Sequence, residues 1–173
     1  MTKYRVWILF LAKSFSSLLA LLGVTVVIHE FAHFITAVIM QVPIASFVWF
    51  DPRYFAPAFF SGSEEYTLGA KVASYSGGLV TGLVLLLILV FKRKWFRVSL
   101  YRWFLGFYIA TFGCWQVCQG ILEGAFHGMY IADATNIFSL SYFVGYAFAF
   151  LGMISYWLLM PSVKGLIAKE GNN

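Results

Sequence analysis

Long apolar runs separated by short polar stretches dominate this chain. Windows of about 20 apolar residues predict membrane-spanning helices, since that length crosses a hydrocarbon layer of about 30 Å. Four spans are predicted, at approximately 6–40, 68–91, 103–122 and 137–160. The first run is longer than one crossing requires, so its N-terminal part lies along the interface or its helix projects beyond the bilayer. We therefore expect an all-α membrane protein in which residues 1–173 form one integral membrane domain.

The loop between the first two predicted spans contains two stretches rich in aromatic and β-branched residues. They are Ile44–Phe50 and Tyr54–Phe60, and the turn signal Asp51-Pro52 separates them. Pro57 weakens the second stretch as an interior strand, because proline donates no hydrogen bond to a neighbouring strand. Two interpretations remain open here, a short β-hairpin or an aromatic loop resting at the headgroup level.

The composition supports the membrane class. Hydrophobic residues make up 61% of the chain and charged residues only 11%, whereas an ordinary soluble domain is about 25% charged. No basic stretch is interleaved with a soluble binding fold, so we expect no nucleic-acid partner. Most of the lysines and arginines instead cluster at the N-terminus, between spans two and three, and in the C-terminal tail, whereas the other two loops carry only Arg53. The clustered residues are Lys3, Arg5, Lys92, Arg93, Lys94, Arg97, Arg102, Lys164 and Lys169. The positive-inside rule then predicts that both termini and the basic loop face the cytoplasm. We see no organellar signal and therefore expect a multi-pass protein of a prokaryotic cell membrane.

His29-Glu30-Phe31-Ala32-His33 forms a His-Glu-x-x-His pattern inside the first apolar run. On a helix, residues four apart lie about 40° apart around the axis and one turn apart along it, so both imidazoles can bind one Zn²⁺ from the same face. Glu30 then projects near the open side of the metal, where it can take a proton from bound water. A carboxylate at bilayer depth is costly and normally marks a functional site. The pattern predicts a membrane-embedded hydrolase with one zinc ion per chain.

A catalytic zinc usually has three protein ligands and one open position. Candidates for the third ligand lie between spans three and four, on the same predicted side of the membrane as the C-terminal end of the first span. Asp133 is the first choice, because a carboxylate at the start of the fourth span is stabilised by the helix dipole. His127 is the second candidate, and its alternative interpretation is an interfacial histidine with no ligand role. Glu123, at the end of the third span, is the remaining candidate, and its alternative roles are to face headgroup water or to hydrogen-bond a ligand histidine.

Small residues open the second span. Gly78-Leu79-Val80-Thr81-Gly82 is a small-xxx-small pattern, which lets helix backbones approach closely in membranes. We expect it to pack the second span against the helix that carries the histidines. Contact with a substrate backbone near Gly77 and Gly78 is the second interpretation. The two cysteines, Cys114 and Cys118, share one helix face and are interpreted as small buried hydrophobes, with a metal or redox pair as the alternative.

Three stretches resemble the site-2 protease family of intramembrane metalloproteases, in its small bacterial and archaeal-type form. They are His29–His33, Ser76-Gly77-Gly78 and Asp133-Ala134. The second family motif commonly has Gly-Pro where this chain has Gly77-Gly78, and the family aspartate usually precedes glycine, where Ala134 stands here. The resemblance implies hydrolysis of peptide bonds within or beside the membrane. It also implies zinc held by His29, His33 and Asp133, with Glu30 as general base and then general acid.

The predicted partners are a membrane-protein or peptide substrate and the lipid bilayer. An oligomer or an accessory membrane protein is the alternative to a chain that encloses the site alone. Two other functional classes compete with the protease. One is a structural or catalytically inactive metal-binding membrane protein, in which a buried polar cluster holds helices together. The other is a component of a small metal or proton transporter, in which the same residues relay ions.

Overall fold

The computed structural model describes residues 3–52, 56–61, 67–126, 140–160, 163 and 165–167. Its elements, in chain order, are α1 (Lys3–Ile39), β1 (Ile44–Asp51), β2 (Ala56–Ser61), α2 (Leu68–Phe91), α3 (Arg93–Phe96), α4 (Leu100–Phe126) and α5 (Leu140–Leu159). Helices α1, α2 and α4 are long and apolar enough to cross a membrane, and α5 carries a shorter apolar helical stretch, Phe143–Leu159. This confirms the predicted all-α membrane fold class, and the helices are compatible with a multi-pass membrane protein.

The outer surfaces of these helices are apolar. Large hydrophobic side chains such as Leu19 in α1, Leu87 in α2 and Phe150 in α5 expose more than half of their surface. Soluble monomers rarely expose contiguous apolar patches larger than a few hundred Å². The hydrocarbon layer is the environment in which such a surface is stable, and polar side chains are accordingly found between the helices.

The helix bounds agree with the predicted spans for α2 and differ for α4. Helix α4 continues to Phe126, four residues beyond the predicted end of the third span. Glu123 therefore lies within the last turn of a helix rather than in a connection after it. Residues 137–139, at the predicted start of the fourth span, lie outside the described residues.

Helix α1 ends in a Schellman-type turn. Gln41 adopts a left-handed conformation with a φ of 56°. Its N–H donates to the carbonyl of Val38 at 3.2 Å, and the N–H of Val42 donates to the carbonyl of Ala37 at 2.9 Å. Val42 and Ala37 also lie in one buried apolar cluster with residues of α2, which is the hydrophobic contact that usually accompanies this turn. The turn therefore fixes where α1 stops.

Strands β1 and β2 pair antiparallel, so the chain contains the hairpin that was one of the two predicted alternatives. Val48 faces Ala58 and Asp51 faces Ala56, which leaves one extra residue in β1 between these pairs. Pro57 occupies the matching position of β2, where its missing N–H breaks no regular pair. The hairpin packs on α1 through aromatic rings, with the centroid of Phe47 lying 5.4 Å from that of Phe31.

Glycines bring α2 and α4 into backbone contact. A Cβ atom at Gly78 would overlap the backbone of Gly120, and one at Gly82 would lie 2.7 Å from the carbonyl oxygen of Gly113. The predicted small-xxx-small contact therefore exists, but its partner is α4. The expectation that Gly78 and Gly82 pack against α1 is wrong, because α1 contributes none of the atoms nearest to either position.

Helix α5 also packs against α4. The hydroxyl of Tyr156 donates to the backbone carbonyl of Trp103 at 2.9 Å, and Gly106 leaves space for that tyrosine ring. Arg93 and Arg97 both donate to the carbonyl oxygen of Leu159. These contacts place the C-terminal end of α5 beside the basic residues around α3.

Gly78→Ala is expected to destabilise the protein, because the added methyl group would push α2 and α4 apart. Overpacking of a well-packed interior typically costs about 1–3 kcal/mol. Gly23→Ala in α1 is the matched control, since nothing outside its own helix segment lies within 4 Å of the added Cβ. Thermal unfolding in detergent should show a lower midpoint for Gly78→Ala only. Equal midpoints would contradict the close contact between the helices.

Candidate metal centre

The two histidines of the His-Glu-x-x-His pattern lie side by side on α1. Their ring centroids are 4.7 Å apart, and their Nε2 atoms are 3.0 Å apart. The helical spacing of four residues produces this arrangement, because it places both side chains on one face. That face points toward α2 and α4, and the side chains of His29 and His33 are only 10% and 12% exposed.

The other ring nitrogen of each histidine is held by a neighbouring helix. Nδ1 of His29 donates to Oε1 of Gln116 in α4 at 2.7 Å, and Nδ1 of His33 donates to the backbone carbonyl of Ala73 in α2 at 2.7 Å. Because a carbonyl oxygen can only accept, these bonds place the proton of each neutral ring on Nδ1. Both Nε2 lone pairs are then directed into the same space. Metal-binding histidines are usually oriented in this way.

Glu123 of α4 completes the group. Its Oε2 atom lies 3.3 Å from Nε2 of His29 and 3.3 Å from Nε2 of His33, and its side chain is only 6% exposed. Oε2 is buried and accepts no hydrogen bond from any described residue. A buried carboxylate oxygen without a donor is costly unless a cation or a shared proton satisfies it.

The donor set fits a metal ion such as zinc. His29, His33 and Glu123 offer one ligand atom each, and these atoms lie within 4.8 Å of one another. For a tetrahedral ion bound at about 2.0–2.1 Å, neighbouring ligand atoms lie about 3.3–3.4 Å apart. The observed separations of 3.0, 3.3 and 3.3 Å are close to that value. Two imidazoles and one carboxylate also form a known catalytic zinc ligand set.

Three consecutive residues of α2 support the site in three different ways. The hydroxyl of Ser76 donates to the carbonyl of Ala32 at 3.1 Å, which ties α2 to α1. Gly77 lies against the ring of His33, and a Cβ atom there would overlap that ring. Gly78 allows α4 to approach. The Ser76-Gly77-Gly78 stretch is therefore a packing element, and the predicted contact of Gly77 and Gly78 with a substrate stays a prediction.

The structure brings together part of the predicted site. His29 and His33 converge as expected, and Glu30 follows on the same helix, half-buried. The predicted third ligand, Asp133, and its alternative His127 lie outside the described residues. Glu123, which the sequence offered as a third-ligand candidate behind Asp133, lies beside both histidines, where its carboxylate could serve as a third ligand.

Gln116 was not anticipated from the sequence. It lies seven residues before Glu123, so both side chains share one face of α4. Gly120 lies between them and Gly124 follows, and both glycines pack against α2. A polar pair at this spacing, combined with small residues on the same face, is the signal that would have marked this side of α4 as the inner one.

The cysteines take no part in this centre. Among the described residues, the only group suited to a metal is His29, His33 and Glu123. Cys114 and Cys118 are free thiols, and Cys114 packs where Gly152 of α5 approaches α4. This agrees with their interpretation as small hydrophobes.

Comparison with known proteins gives no match to a family model, a curated protein or a solved structure. Fold and site together define a helical protein suited to a membrane, with a buried His-His-Glu group that can accommodate a metal ion.

Gln116→Leu is expected to weaken zinc binding about 10- to 100-fold, because loss of a hydrogen bond to a ligand histidine typically has that effect. Gln116→Glu is the matched control, since a carboxylate still accepts the Nδ1 proton of His29. Competition with a fluorescent chelator measures both affinities. Equal zinc affinity in Gln116→Leu and the wild type would show that the bond from His29 does not orient the ring for metal binding.

Metal analysis of purified variants distinguishes the candidates for the third ligand. Glu123→Ala is expected to lose the zinc, because the observed triangle of donors then has only two members. Asp133→Ala and His127→Ala are expected to keep about one zinc per chain, because a catalytic site needs about three protein ligands. Loss of zinc in Asp133→Ala with retention in Glu123→Ala would restore Asp133 as the ligand.

Proposed function

We propose that this protein is a membrane-embedded zinc metalloprotease that hydrolyses peptide bonds in or near the membrane. The observation that carries the proposal is the convergence of Nε2 of His29, Nε2 of His33 and Oε2 of Glu123, with both Nδ1 atoms already donating elsewhere. In the proposed arrangement the chain crosses a prokaryotic cell membrane with both termini in the cytoplasm, and its substrate is a membrane protein or a peptide.

The donor chemistry supports zinc over harder cations. Calcium and magnesium prefer ligand sets made of oxygen atoms, whereas two imidazoles and one carboxylate suit zinc. Zinc in such a site acts as a Lewis acid that polarises a carbonyl group and makes water more acidic. The three protein donors come from α1 and α4, so the site depends on the packing of helices and not on a single segment.

Glu30 is the proposed general base. It follows His29 directly, and the two side chains are close enough to interact electrostatically. On a helix Glu30 projects about 100° away from His29, beside the ligand face rather than on it. Its carboxylate takes one proton from the attacking water as the new C–O bond forms. It then returns a proton to the leaving amine as the C–N bond breaks, so that the step balances.

A structural cluster is the second candidate, and the short His–His distance is the observation that favours it. A shared proton could hold His29, His33 and Glu123 together without a metal, since the two Nε2 atoms are 3.0 Å apart. Such a cluster would join α1 to α4 by buried polar contacts. It would bind much less than one zinc ion per chain and would hydrolyse no peptide.

Glu30→Gln is expected to retain about one zinc per chain and to lose peptide hydrolysis by a factor of about 10²–10⁴, the usual contribution of a general acid–base group. The isosteric amide cannot accept the proton of water, while the ligand set is unchanged. His29→Ala is the comparison variant and should lose both zinc and activity. Undiminished hydrolysis by Glu30→Gln would show that Glu30 is not the general base. A wild-type protein without zinc and without hydrolytic activity would favour the structural cluster over the metalloprotease.

A further inference from the structure

We propose that the metal centre lies near one boundary of the hydrocarbon layer and cleaves the juxtamembrane segment of its substrate, where a transmembrane helix leaves the bilayer. The boundary concerned is the one remote from the basic residues around α3. The substrate class rests on the proposed protease function, whereas the depth of the site rests on the fold alone.

Most of the basic residues in the described helices mark one end of the bundle, and Lys71 in the first turn of α2 is the exception at the other end. We call this the basic end; it comprises Lys13 of α1, Lys92 directly after α2, Arg93 and Lys94 of α3, Arg97 directly after α3, and Arg102 of α4. The ammonium of Lys13 lies 4.3 Å from the centroid of the Tyr101 ring, so α1 and α4 meet at this level. Lysines and arginines near helix ends extend into the headgroup region. The basic end therefore lies close to one boundary of the hydrocarbon layer.

Helix α1 gives the first estimate of depth. His29 and His33 follow Lys13 by 16 and 20 residues. At about 1.5 Å per residue the histidines lie about 24–30 Å from Lys13 along the helix. The midplane of a hydrocarbon layer about 30 Å thick is only about 15 Å from either boundary. The histidines are thus well beyond the midplane.

Two other helices give the same result. Ala73 and Gly77 of α2, which contact His33, precede Lys92 by 19 and 15 residues, or about 22–29 Å. Gln116 and Glu123 of α4 follow Arg102 by 14 and 21 residues, or about 21–32 Å. An average helix tilt of about 20° shortens these heights by only about 6%. All three helices place the centre about 25 Å from the basic end.

Aromatic residues mark a second boundary at the level of the centre. Phe31 lies between the two histidines in sequence, and its ring contacts Phe47 and Trp49 of the hairpin at 5.4 and 5.6 Å. Trp49 is 68% exposed. Tryptophan and other aromatic rings are enriched where hydrocarbon meets the headgroups. Trp7 and Trp95 form the corresponding exposed aromatic positions at the basic end.

The cost of burying charge agrees with this depth. Glu30 and Glu123 are the acidic residues within the described membrane-spanning helices, and both lie at this level. A carboxylate is most costly at the centre of the bilayer and less costly toward the interface. Placing both acids near a boundary lowers the cost of keeping them charged.

The depth of the metal centre determines which part of a substrate helix it can cleave. At the bilayer midplane every carbonyl of a substrate helix is hydrogen-bonded within the helix, so cleavage requires local unwinding. At the C-terminal end of a substrate helix the last four carbonyls have no intrahelical partner. A scissile bond close to the boundary is therefore already accessible, which favours the segment that joins a transmembrane helix to the exposed part of its protein.

Depth can be measured without activity. Ile35→Cys lies just beyond the histidines and Leu19→Cys lies nearer the expected midplane, and both native side chains are about half exposed, at 51% and 52%. Each variant is labelled with bimane in phosphatidylcholine vesicles that contain lipids carrying a doxyl quencher at carbon 5 or at carbon 12. The wild type measures the background from Cys114 and Cys118. We expect at least twofold stronger quenching of Ile35→Cys by the shallow quencher and the reverse preference for Leu19→Cys.

Cleavage is mapped on single-pass peptides by mass spectrometry. All peptides share one transmembrane core, and an identical scissile sequence is placed either at the core centre or at one of its two ends. We expect the wild-type protein to cleave at least tenfold faster when the scissile sequence lies at the membrane boundary opposite the protein's basic end. Glu30→Gln is expected to cleave none of the peptides.

The outcomes separate the two proposals. Preferential quenching of Ile35→Cys by the deep quencher would overturn the proposed depth. Faster cleavage at the core centre would overturn the juxtamembrane substrate. Shallow quenching without hydrolysis of any peptide would leave the location standing and would contradict the protease function.

Discussion

The close contact between α2 and α4 is the constraint on which the centre depends. Gly78 and Gly120 allow the two backbones to touch, and this contact positions α4 so that Glu123 reaches the histidines of α1. In a lipid environment there is no hydrophobic driving force between apolar helices, so close packing and buried hydrogen bonds must hold them together. Ser76, which donates to the carbonyl of Ala32, supplies such a bond from α2 to α1. The His-His-Glu group therefore depends on the packing of Gly78, Gly120 and Ser76, none of which belongs to it.

The histidines are oriented by acceptors on two different helices. Gln116 of α4 accepts from His29, and the carbonyl of Ala73 in α2 accepts from His33. A rotation of either helix would break one of these bonds and turn the corresponding lone pair away from Glu123. This arrangement means that the three helices must be packed together before the donor triangle exists.

The hairpin and the short helix α3 lie at opposite ends of the long helices. The aromatic rings of the hairpin cover α1 beside Phe31 and Phe34, whereas Arg93 and Arg97 bind the last carbonyl of α5. Aromatic side chains lie at both ends, and the two ends differ in charge because most basic residues of the described helices lie at the α3 end. Such an asymmetry fixes how a helical bundle sits across a bilayer, because aromatic rings prefer the interface and basic groups prefer the headgroup level.

The helical membrane class, the paired histidines and the hairpin were predictable from the sequence. Apolar runs of sufficient length determined the helical membrane class, and the spacing of four between His29 and His33 determined that both rings share a face, because both properties are local. Aromatic and β-branched stretches around a turn likewise indicated the hairpin, although they left a loop open as an alternative. What the tertiary structure decided was which helices touch. The sequence showed that Gly78 and Gly82 form a contact surface but not that α4 covers it. Only the packed structure shows Gln116 and Glu123 meeting the histidines, because contacts between residues about 90 positions apart depend on helix packing and leave no periodic pattern in the chain.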